Sequence, residues 1–294
     1  ALSNRLENIQ MSITNLGGHS GCKVLLCEED DNGIFVRKIS GDIDYNKRLE
    51  IQAKKQSEFK SKRIKTPSVL KQGHTGDGLF YFDMEYIQGI TMAEYLQTIE
   101  IGKVRGLVET IVHDIVSIDG NGKDIDENIF RNKIMDLKDK LSVRNNKVID
   151  EALELLSIHS WKRFAKTDCH GDLTLENIIV KDSQLYLIDF LDSFYDNWII
   201  DISTLMQDVQ TLWAYRHEKE VNINTLIRLI VFRDILVDTV RSISDDDVME
   251  VYYALLLKLI RIYPYTKDEH TYNFLNEKTT SVINSIKTLG GKST

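Results

Sequence analysis

The hydrophobic pattern divides the chain into a strand-rich first part and a helical second part. Before residue 88, short apolar runs bounded by glycine and asparagine turns predict strands at residues 22–27, 34–39 and 79–87. Apolar positions at helical spacing in residues 45–60 predict one helix among these strands. We therefore expect a mostly antiparallel sheet with one packed helix.

Helices dominate the prediction for the rest of the chain. Thr91-Met92-Ala93-Glu94 has the capping-box pattern, so a helix should begin directly after the last strand. Further amphipathic segments predict helices at residues 104–115, 130–141, 148–156, 199–212, 223–240, 248–262 and 272–289. Only a hairpin near residues 178–188 interrupts them. The pattern indicates an α+β fold of two lobes, residues 1–87 and residues 88–294, in a chain too long for most single cores.

The strongest chemical signal surrounds this predicted hairpin. His170-Gly171-Asp172 is followed by Asn177, and the second strand of the hairpin leads into Asp189. The hairpin should bring Asn177 and Asp189 to one end, close to Asp172. Kinase-type phosphoryl transfer needs these groups, because one carboxylate orients the attacking hydroxyl while an amide and a carboxylate hold magnesium. The alternative is a polar turn before an ordinary buried hairpin, but the full set at this spacing favours the chemical interpretation.

The strand-rich part contains candidates for holding a nucleotide. Gly18 and Gly21 belong to a glycine cluster before a strand, where backbone amides can approach phosphates, although such a cluster is more often only a turn. Val36 and Lys38 share one face of the next strand. That face would offer an apolar wall to a nucleotide base and an ammonium to the phosphates.

A kinase site also needs an acid that pairs with Lys38 and holds it extended. The helix predicted at residues 45–60 offers two candidates, Glu50 and Glu58. Glu50 lies nearer the apolar face, whereas Glu58 has the sequence separation more typical of protein kinases. We prefer Glu50 slightly and leave the alternative open.

The end of the strand at residues 79–87 is the predicted linker between the lobes. Glu85 and Ile87 would present backbone groups to the edge of an adenine, and Met84 would close the back of its pocket. Met84 does not determine the size of that pocket, so we predict ATP as the nucleotide only slightly in preference to GTP.

Composition and charge narrow the class of protein. An apolar fraction of 42% with 28% charged residues is ordinary for a globular protein. A net charge of −8 argues against a nucleic-acid binder. Three cysteines offer neither a disulfide framework nor a paired metal spacing, which indicates a reducing, cytoplasmic location. No membrane span is expected, because the most apolar helix contains Arg228, Arg233 and Asp234.

These motifs resemble the aminoglycoside phosphotransferase/choline kinase family, the small-molecule branch of the protein-kinase-like fold. His170-Gly171-Asp172 with Asn177 is similar to the family's catalytic loop, and Ile188-Asp189-Phe190 to its metal-binding segment. Asp201-Ile202-Ser203 resembles a downstream helix start of the family. The resemblance covers roughly residues 10–215.

The resemblance implies an ATP-dependent kinase with Mg²⁺ as its metal. Asp172 would align the acceptor hydroxyl, Asn177 and Asp189 would hold the ion, and Lys38 would neutralise phosphate charge. The chain lacks an acidic carboxy-terminal motif of the kind that aminoglycoside kinases use for their drugs, which disfavours a resistance enzyme.

An acidic and aromatic run follows Asp189 and contains the acceptor candidates. These are Asp192, Trp198, Trp213 and Arg216. A carboxylate with aromatic rings would attract an amine or quaternary ammonium, the rings would also stack on a sugar, and Arg216 would meet an anionic group. A purely structural role has equal weight, so the acceptor and the oligomeric state stay open.

Three functions compete at this point. The leading one is a kinase that phosphorylates a small hydroxyl compound, either an amino alcohol or a sugar. A protein kinase is less favoured, because Gly171 replaces the usual arginine and no long activation loop fits between Asp189 and Asp201. A catalytically inactive nucleotide-binding or partner-binding module would be expected to lack Lys38, Asp172, Asn177 or Asp189, and all four are present.

Overall fold

The computed structural model describes residues 12–16, 21–29, 33–116 and 126–291. In these ranges the first part of the chain is a five-stranded antiparallel sheet in the order β1-β2-β3-β5-β4. Its strands are β1 (Ser12–Asn15), β2 (Cys22–Glu29), β3 (Gly33–Ser40), β4 (Val69–His74) and β5 (Phe80–Glu85).

Helix α1 (Asn46–Glu58) covers one face of this sheet. Its Leu49 and Ala53 are fully buried and share a small core with Val36 and Phe82. The register of the sheet places Val36 of β3 opposite Met84 of β5. Side chains of such partners point to the same face. Val36, Met84 and the buried Lys38 therefore lie on the α1 side of the sheet.

The second part of the chain is helical. Its helices are α2 (Met92–Thr98), α3 (Ile101–Val116), α4 (Glu127–Leu141), α5 (Lys147–Ile158), α6 (Trp198–Val209), α7 (Ile223–Ile243), α8 (Asp245–Ile260) and α9 (Glu269–Gly291). Residues 199–209 of α6 are all buried, so this helix is the centre of the lobe and packs against α8. None of the helices in the described ranges is long and apolar enough to cross a membrane.

The predicted hairpin is present within the helical lobe. Strands β7 (Ile178–Lys181) and β8 (Gln184–Leu187) are antiparallel. The turn residues Asp182 and Ser183 both have positive φ, at 49° and 64°, as a type I′ turn requires. The linker adds a short strand, β6 (Ile90–Thr91), that the sequence analysis did not predict and that pairs with β7.

Gly89 explains how the linker can lie against this hairpin. A Cβ at residue 89 would lie 2.5 Å from the carbonyl oxygen of Val180 and 2.7 Å from the Ile179 side chain. Only glycine permits so close an approach of two backbones. The linker is therefore fixed to the same hairpin that leads to Asp189.

The expected architecture is confirmed. An antiparallel sheet with one helix is followed by a mostly helical lobe, and each predicted helix occurs within a few residues of its predicted bounds. The capping box is also present, because Thr91 Oγ1 accepts the Glu94 N–H at 3.1 Å and the Glu94 carboxylate accepts the Thr91 N–H at 2.8 Å.

Loss of this cap should destabilise the protein. We expect Thr91→Ala to lower the free energy of unfolding by about 1 kcal/mol, because the first turn of α2 loses a hydrogen-bond acceptor. Urea unfolding followed by circular dichroism measures the change. Thr98→Ala, at an exposed position in the last turn of the same helix, is the control and should stay within about 0.5 kcal/mol of wild type. Equal stability of the two variants would contradict the role of the cap.

Candidate active site

A cleft of about 670 Å³ lies between the sheet and the helical lobe. Its sheet side is apolar and is formed by Leu16, Val24, Val36, Met84 and Ile87. Its polar residues include Lys38, Glu85, Asp172, Asn177 and Asp189. An apolar wall facing a few convergent polar groups is the usual form of a small-molecule site.

The loop that carries Asp172 is held by a buried carboxylate. Asp201, in the first turn of α6, accepts the backbone N–H groups of His170 at 2.7 Å and of Gly171 at 2.9 Å. Gly171 has a φ of 94°, a conformation that side chains rarely adopt, and a Cβ there would collide with the Leu191 carbonyl. Glycine is therefore required at this position by the fold.

His170 connects this loop to the end of the hairpin. Its Nδ1 accepts the Asp172 N–H at 3.1 Å, so Nε2 carries the proton and donates to the Ile188 carbonyl at 2.6 Å. Burial lowers the pKa of His170 to about 4. The imidazole is therefore neutral at neutral pH, and in these contacts it positions the backbone on both sides.

Asn177 and Asp189 lie together at the end of the hairpin. The side-chain Nδ2 of Asn177 donates to the main-chain oxygen of Asp172 at 2.8 Å. The main-chain carbonyl of Asn177 accepts the Ile188 N–H at 3.0 Å. Asp189 has a φ of 60°, which is uncommon for a residue with a side chain and occurs often at functional sites. Its carboxylate forms an ion pair with the buried Lys38.

The donor set at this place suits magnesium. The Nδ2 of Asn177 is engaged with Asp172, which leaves the amide oxygen Oδ1 available as a ligand, and both Asn177 and Asp189 line the cleft. Hard oxygen ligands of this kind are those that Mg²⁺ prefers, and the ion is commonly held by one or two protein side chains plus substrate phosphates. Among the residues that the structure describes, no group of three or more His, Cys, Asp or Glu could hold an ion alone.

Most of the predicted nucleotide-binding residues line the cleft. These are Val36, Lys38, Met84, Glu85 and Ile87. Gly18 lies outside the described residues. Gly21 does not line the cleft; its carbonyl accepts the Gly41 N–H at 2.9 Å, and a Cβ there would meet the Tyr45 ring at 2.8 Å. Its positive φ of 78° serves this packing.

The predicted pairing of Lys38 with a glutamate of α1 is wrong. Glu50 is exposed, with its carboxylate 3.9 Å from His74, and Glu58 pairs with Lys54 at 3.8 Å. The buried face of α1 carries Leu49, Gln52, Ala53 and Gln56, so both glutamates lie on other faces of the helix. Lys38 is held by Asp189 instead.

Helix α1 is attached to the segment after Asp189 by contacts that the sequence analysis missed. Arg48 pairs with Asp192 at 2.8 Å, and Gln52 donates to the same carboxylate at 3.2 Å. Lys55 donates to the Leu191 carbonyl at 2.7 Å and pairs with Asp196 at 2.9 Å. The signal in the sequence was the polar stripe at residues 48, 52 and 55, since residues at this spacing share one face of a helix.

These contacts also correct the prediction of acceptor residues. Asp192 binds α1 and does not line the cleft. Trp198 is the first residue of α6 and packs against the hydrophobic core of the helical lobe. The other two candidates, Trp213 and Arg216, do line the cleft, with the Arg216 guanidinium 4.3 Å from the centre of the Trp213 ring.

Two buried carboxyl groups, those of Asp201 and Asp208, and the partly buried one of Asp172 give this region an unusual electrostatic character. Burial raises the pKa of Asp172, and the negative charge of the neighbouring Asp189 raises it further. Lys258 and the hydrogen bond from Asn177 act in the opposite direction and lower this pKa. Burial also raises the pKa of Asp201 to about 6 and that of Asp208 to about 7. Asp208 lines the cleft and accepts the Leu175 N–H at 2.9 Å.

Comparison with protein families finds one match that covers most of the chain. The family described as "Phosphotransferase enzyme family" matches residues 17–222. No curated protein sequence matches the chain significantly.

Comparison with solved structures finds similar folds. An apo thermostable mutant of aminoglycoside phosphotransferase APH(4)-Ia has a TM-score of 0.61 and 13% identity, with 93% of this chain and 94% of that chain covered. The wild-type aminoglycoside 2′-phosphotransferase-IIIa has a TM-score of 0.60 and 16% identity, with 96% and 94% covered. A protein assigned as a fructosamine-3-kinase from Haemophilus somnus 129PT has a TM-score of 0.55 and 16% identity, with 95% and 92% covered. At such identities the likeness shows the fold, which is the expected protein-kinase-like one.

The raised pKa of Asp208 predicts a stability that falls as pH rises. A carboxyl whose pKa moves from 3.8 to about 7 on folding stabilises the folded state below pH 4, and this contribution is lost as pH rises through 7. Asp208→Asn removes this titration and keeps an oxygen for the Leu175 N–H. We therefore expect the variant to have a higher Tm than wild type at pH 8, and the difference to shrink at pH 5.

Thermal unfolding at several pH values between 5 and 8 tests this expectation. Asp139→Asn makes the same charge change at an exposed position of α4 and should leave the pH dependence of Tm unchanged. A wild-type Tm that does not fall relative to Asp208→Asn between pH 5 and 8 would contradict the raised pKa.

Proposed function

Because the chain belongs to the phosphotransferase enzyme family, we propose that it is an ATP-dependent small-molecule kinase that transfers the γ-phosphoryl group to a hydroxyl. The observation that carries this proposal is the convergence of Lys38, Asp172, Asn177 and Asp189 in one cleft. An inactive kinase-like module would not need all four groups at one place. A protein kinase is disfavoured by the short connection from Asp189 to α6, which begins at Trp198.

ATP would bind between the two lobes, with residues 1–87 serving as the nucleotide-binding lobe and residues 88–294 as the catalytic and acceptor-binding lobe. The base would lie against Val36, Met84 and Ile87, and the backbone of the linker at residues 85–87 would contact its edge. The phosphates would extend toward Lys38. An APH(4)-Ia variant was solved with ADP and hygromycin B, and the 2′-phosphotransferase-IIIa with GDP, so similar folds accept either base. We propose ATP for this chain.

Asn177 and Asp189 would hold Mg²⁺, which would neutralise part of the phosphate charge. Lys38 would then exchange part of its contact with Asp189 for phosphate oxygens. Asp172 orients the acceptor hydroxyl and accepts its hydrogen bond as the oxygen attacks. Burial raises the pKa of Asp172, which makes its carboxylate a better hydrogen-bond acceptor for the hydroxyl. Catalysis thus relies on positioning and electrostatics.

Between the two acceptor classes, we propose a sugar in preference to an amino alcohol. The carboxylate of Asp192, expected to attract an amine, is engaged by Arg48 and Gln52. Trp213 and Asp172 both line the cleft, and an aromatic side chain in this position is suited to packing against the apolar surface of a sugar.

Removal of magnesium should weaken nucleotide binding. Asn177 and Asp189 contribute through the ion, and without it the Asp189 carboxylate repels the phosphates. We expect the affinity for ATP, measured by calorimetry, to fall by about tenfold or more when EDTA replaces Mg²⁺. The control is adenosine, which lacks phosphates and should bind equally in both conditions. Equal affinity of ATP with and without magnesium would count against the metal site.

Two substitutions separate the roles of the carboxylates. Asp172→Asn should keep the fold and the affinity for ATP and lower turnover by about 10²- to 10⁴-fold, the usual range for a general base. Asp189→Asn should in addition weaken Mg²⁺-dependent binding of ATP, because a charged ligand is lost.

ADP release with a panel of sugars and amino alcohols measures turnover, and calorimetry measures binding. Asp168→Asn, at an exposed position shortly before the catalytic loop, is the matched control and should behave as wild type. If Asp172→Asn kept most of its turnover on an acceptor that the wild type phosphorylates, the role of Asp172 in orienting the hydroxyl would be refuted.

A further inference from the structure

A second cavity of about 330 Å³ meets the cleft at Asp172 and Trp213, which line both. The rest of its wall comes from the helical lobe: from α4, from α6, from the end of α8 and from the residues that follow it. Its size is within the range of small-molecule sites. An acceptor whose hydroxyl reaches Asp172 would have the rest of its structure in this cavity.

The charge of this cavity is strongly positive. Its wall contains four cationic side chains, those of Lys133, Lys140, Lys258 and Arg261, against one carboxylate, that of Asp172. Asp136, which is not part of the wall, offsets some of this charge, at 2.9 Å from Lys140 and 3.9 Å from Lys133.

The other two cations have no such partner. Lys258 and Arg261 are partly buried, and neither forms an ion pair or a side-chain hydrogen bond with any residue in the described ranges. Burial lowers the pKa of both side chains, and the positive charge of Arg261 lowers that of Lys258 further, whereas Asp172 raises it. Clustering partly buried like charges is costly unless an anion compensates them.

A structural role accounts for Lys258 but not for Arg261. The ammonium of Lys258 lowers the pKa of Asp172, Asp201 and Asp208, so it compensates these buried carboxyl groups. The guanidinium of Arg261 lies 4.7 Å from the centre of the Phe194 ring, and no carboxylate in the described part of the chain is comparably placed beside it. A guanidinium held on an aromatic face keeps its edge and its N–H groups free for a carboxylate or phosphate.

On the basis of the proposed kinase function, we propose that the acceptor is a hydroxyl compound that carries its own anionic group, a phosphate or a carboxylate, bound at Arg261. Lys133 and Lys258 add to the positive field around this group. They thereby offset the repulsion between an anionic acceptor and the γ-phosphate of ATP. Of the acceptor groups that the sequence left open, an anion is thereby favoured over an amine.

The anion itself takes no part in the bond changes. The acceptor oxygen forms a bond to the γ-phosphorus, and the bond from that phosphorus to the β–γ bridging oxygen breaks. ADP leaves with the electron pair of the broken bond, and the hydroxyl proton passes by way of Asp172 to solvent. Arg261 is therefore a binding residue of the acceptor and is not expected to affect ATP.

Calorimetry in the presence of saturating ADP and Mg²⁺ tests this proposal. The anionic probes are glucose 6-phosphate, galacturonate and inorganic phosphate, and the matched neutral or cationic probes are glucose, galactose and choline. We expect glucose 6-phosphate to bind about tenfold more tightly than glucose, and galacturonate about tenfold more tightly than galactose. Inorganic phosphate, which has no carbon skeleton, should likewise bind about tenfold more tightly than choline. Arg261→Gln should weaken this binding about 10- to 100-fold, the usual loss for a hydrogen bond between charged groups, and Arg261→Lys should restore part of it.

Lys138→Gln is the matched control, since it removes an exposed cation of α4 outside this cavity and should leave anion binding unchanged. ATP affinity and circular dichroism of Arg261→Gln should match wild type, which separates loss of the site from loss of the fold. Tighter binding of choline than of the anionic probes, or anion binding that Arg261→Gln does not change, would overturn the proposal.

Measurements of turnover separate failure of the anionic-acceptor proposal from failure of the proposed kinase function. Phosphorylation of choline or a neutral sugar without Arg261-dependent anion binding would keep the kinase and refute the anionic acceptor. Arg261-dependent anion binding without turnover of any acceptor would refute the kinase function and support the anion site.

Discussion

The candidate active site depends on one buried interaction, the pair of hydrogen bonds that Asp201 accepts from the backbone of His170 and Gly171. Asp201 belongs to α6, which is buried on every side at the centre of the helical lobe, so its carboxylate is fixed by the packing of that core. The loop is thereby held in the conformation that presents Asp172, and His170 transmits the position to the Ile188 backbone, directly before Asp189. A distortion of α6 would displace Asp172 and Asp189 together.

Local pattern was sufficient to predict the elements of the fold and the residues of the hairpin. Helix periodicity, the capping box at Thr91 and the turn at residues 182–183 are determined by neighbours in sequence, and each is found in the structure. The family and the enzyme class could be predicted for the same reason, because His170-Gly171-Asp172 and Asp189 lie within one short stretch.

Partners across the fold could not be predicted in this way. The choice between Glu50 and Glu58 assumed that an acid must reach Lys38 from α1, but the rotation of the helix is set by burial of Leu49 and Ala53. The cationic cavity likewise brings together side chains from α4 and the end of α8, which only the packing of the helical lobe makes neighbours. Its positive charge is opposite in sign to the net charge of −8 of the whole chain, which therefore does not reveal it.

The attachment of α1 has a consequence for how the two lobes can move. Arg48 and Lys55 bind residues 191–196, so the helix of the sheet lobe is connected to the backbone that continues from Asp189. A hinge motion that separated the lobes would have to break these contacts or carry the loop with it. In the proposed kinase, entry of a nucleotide and departure of the product would therefore be coupled to the geometry around Asp189.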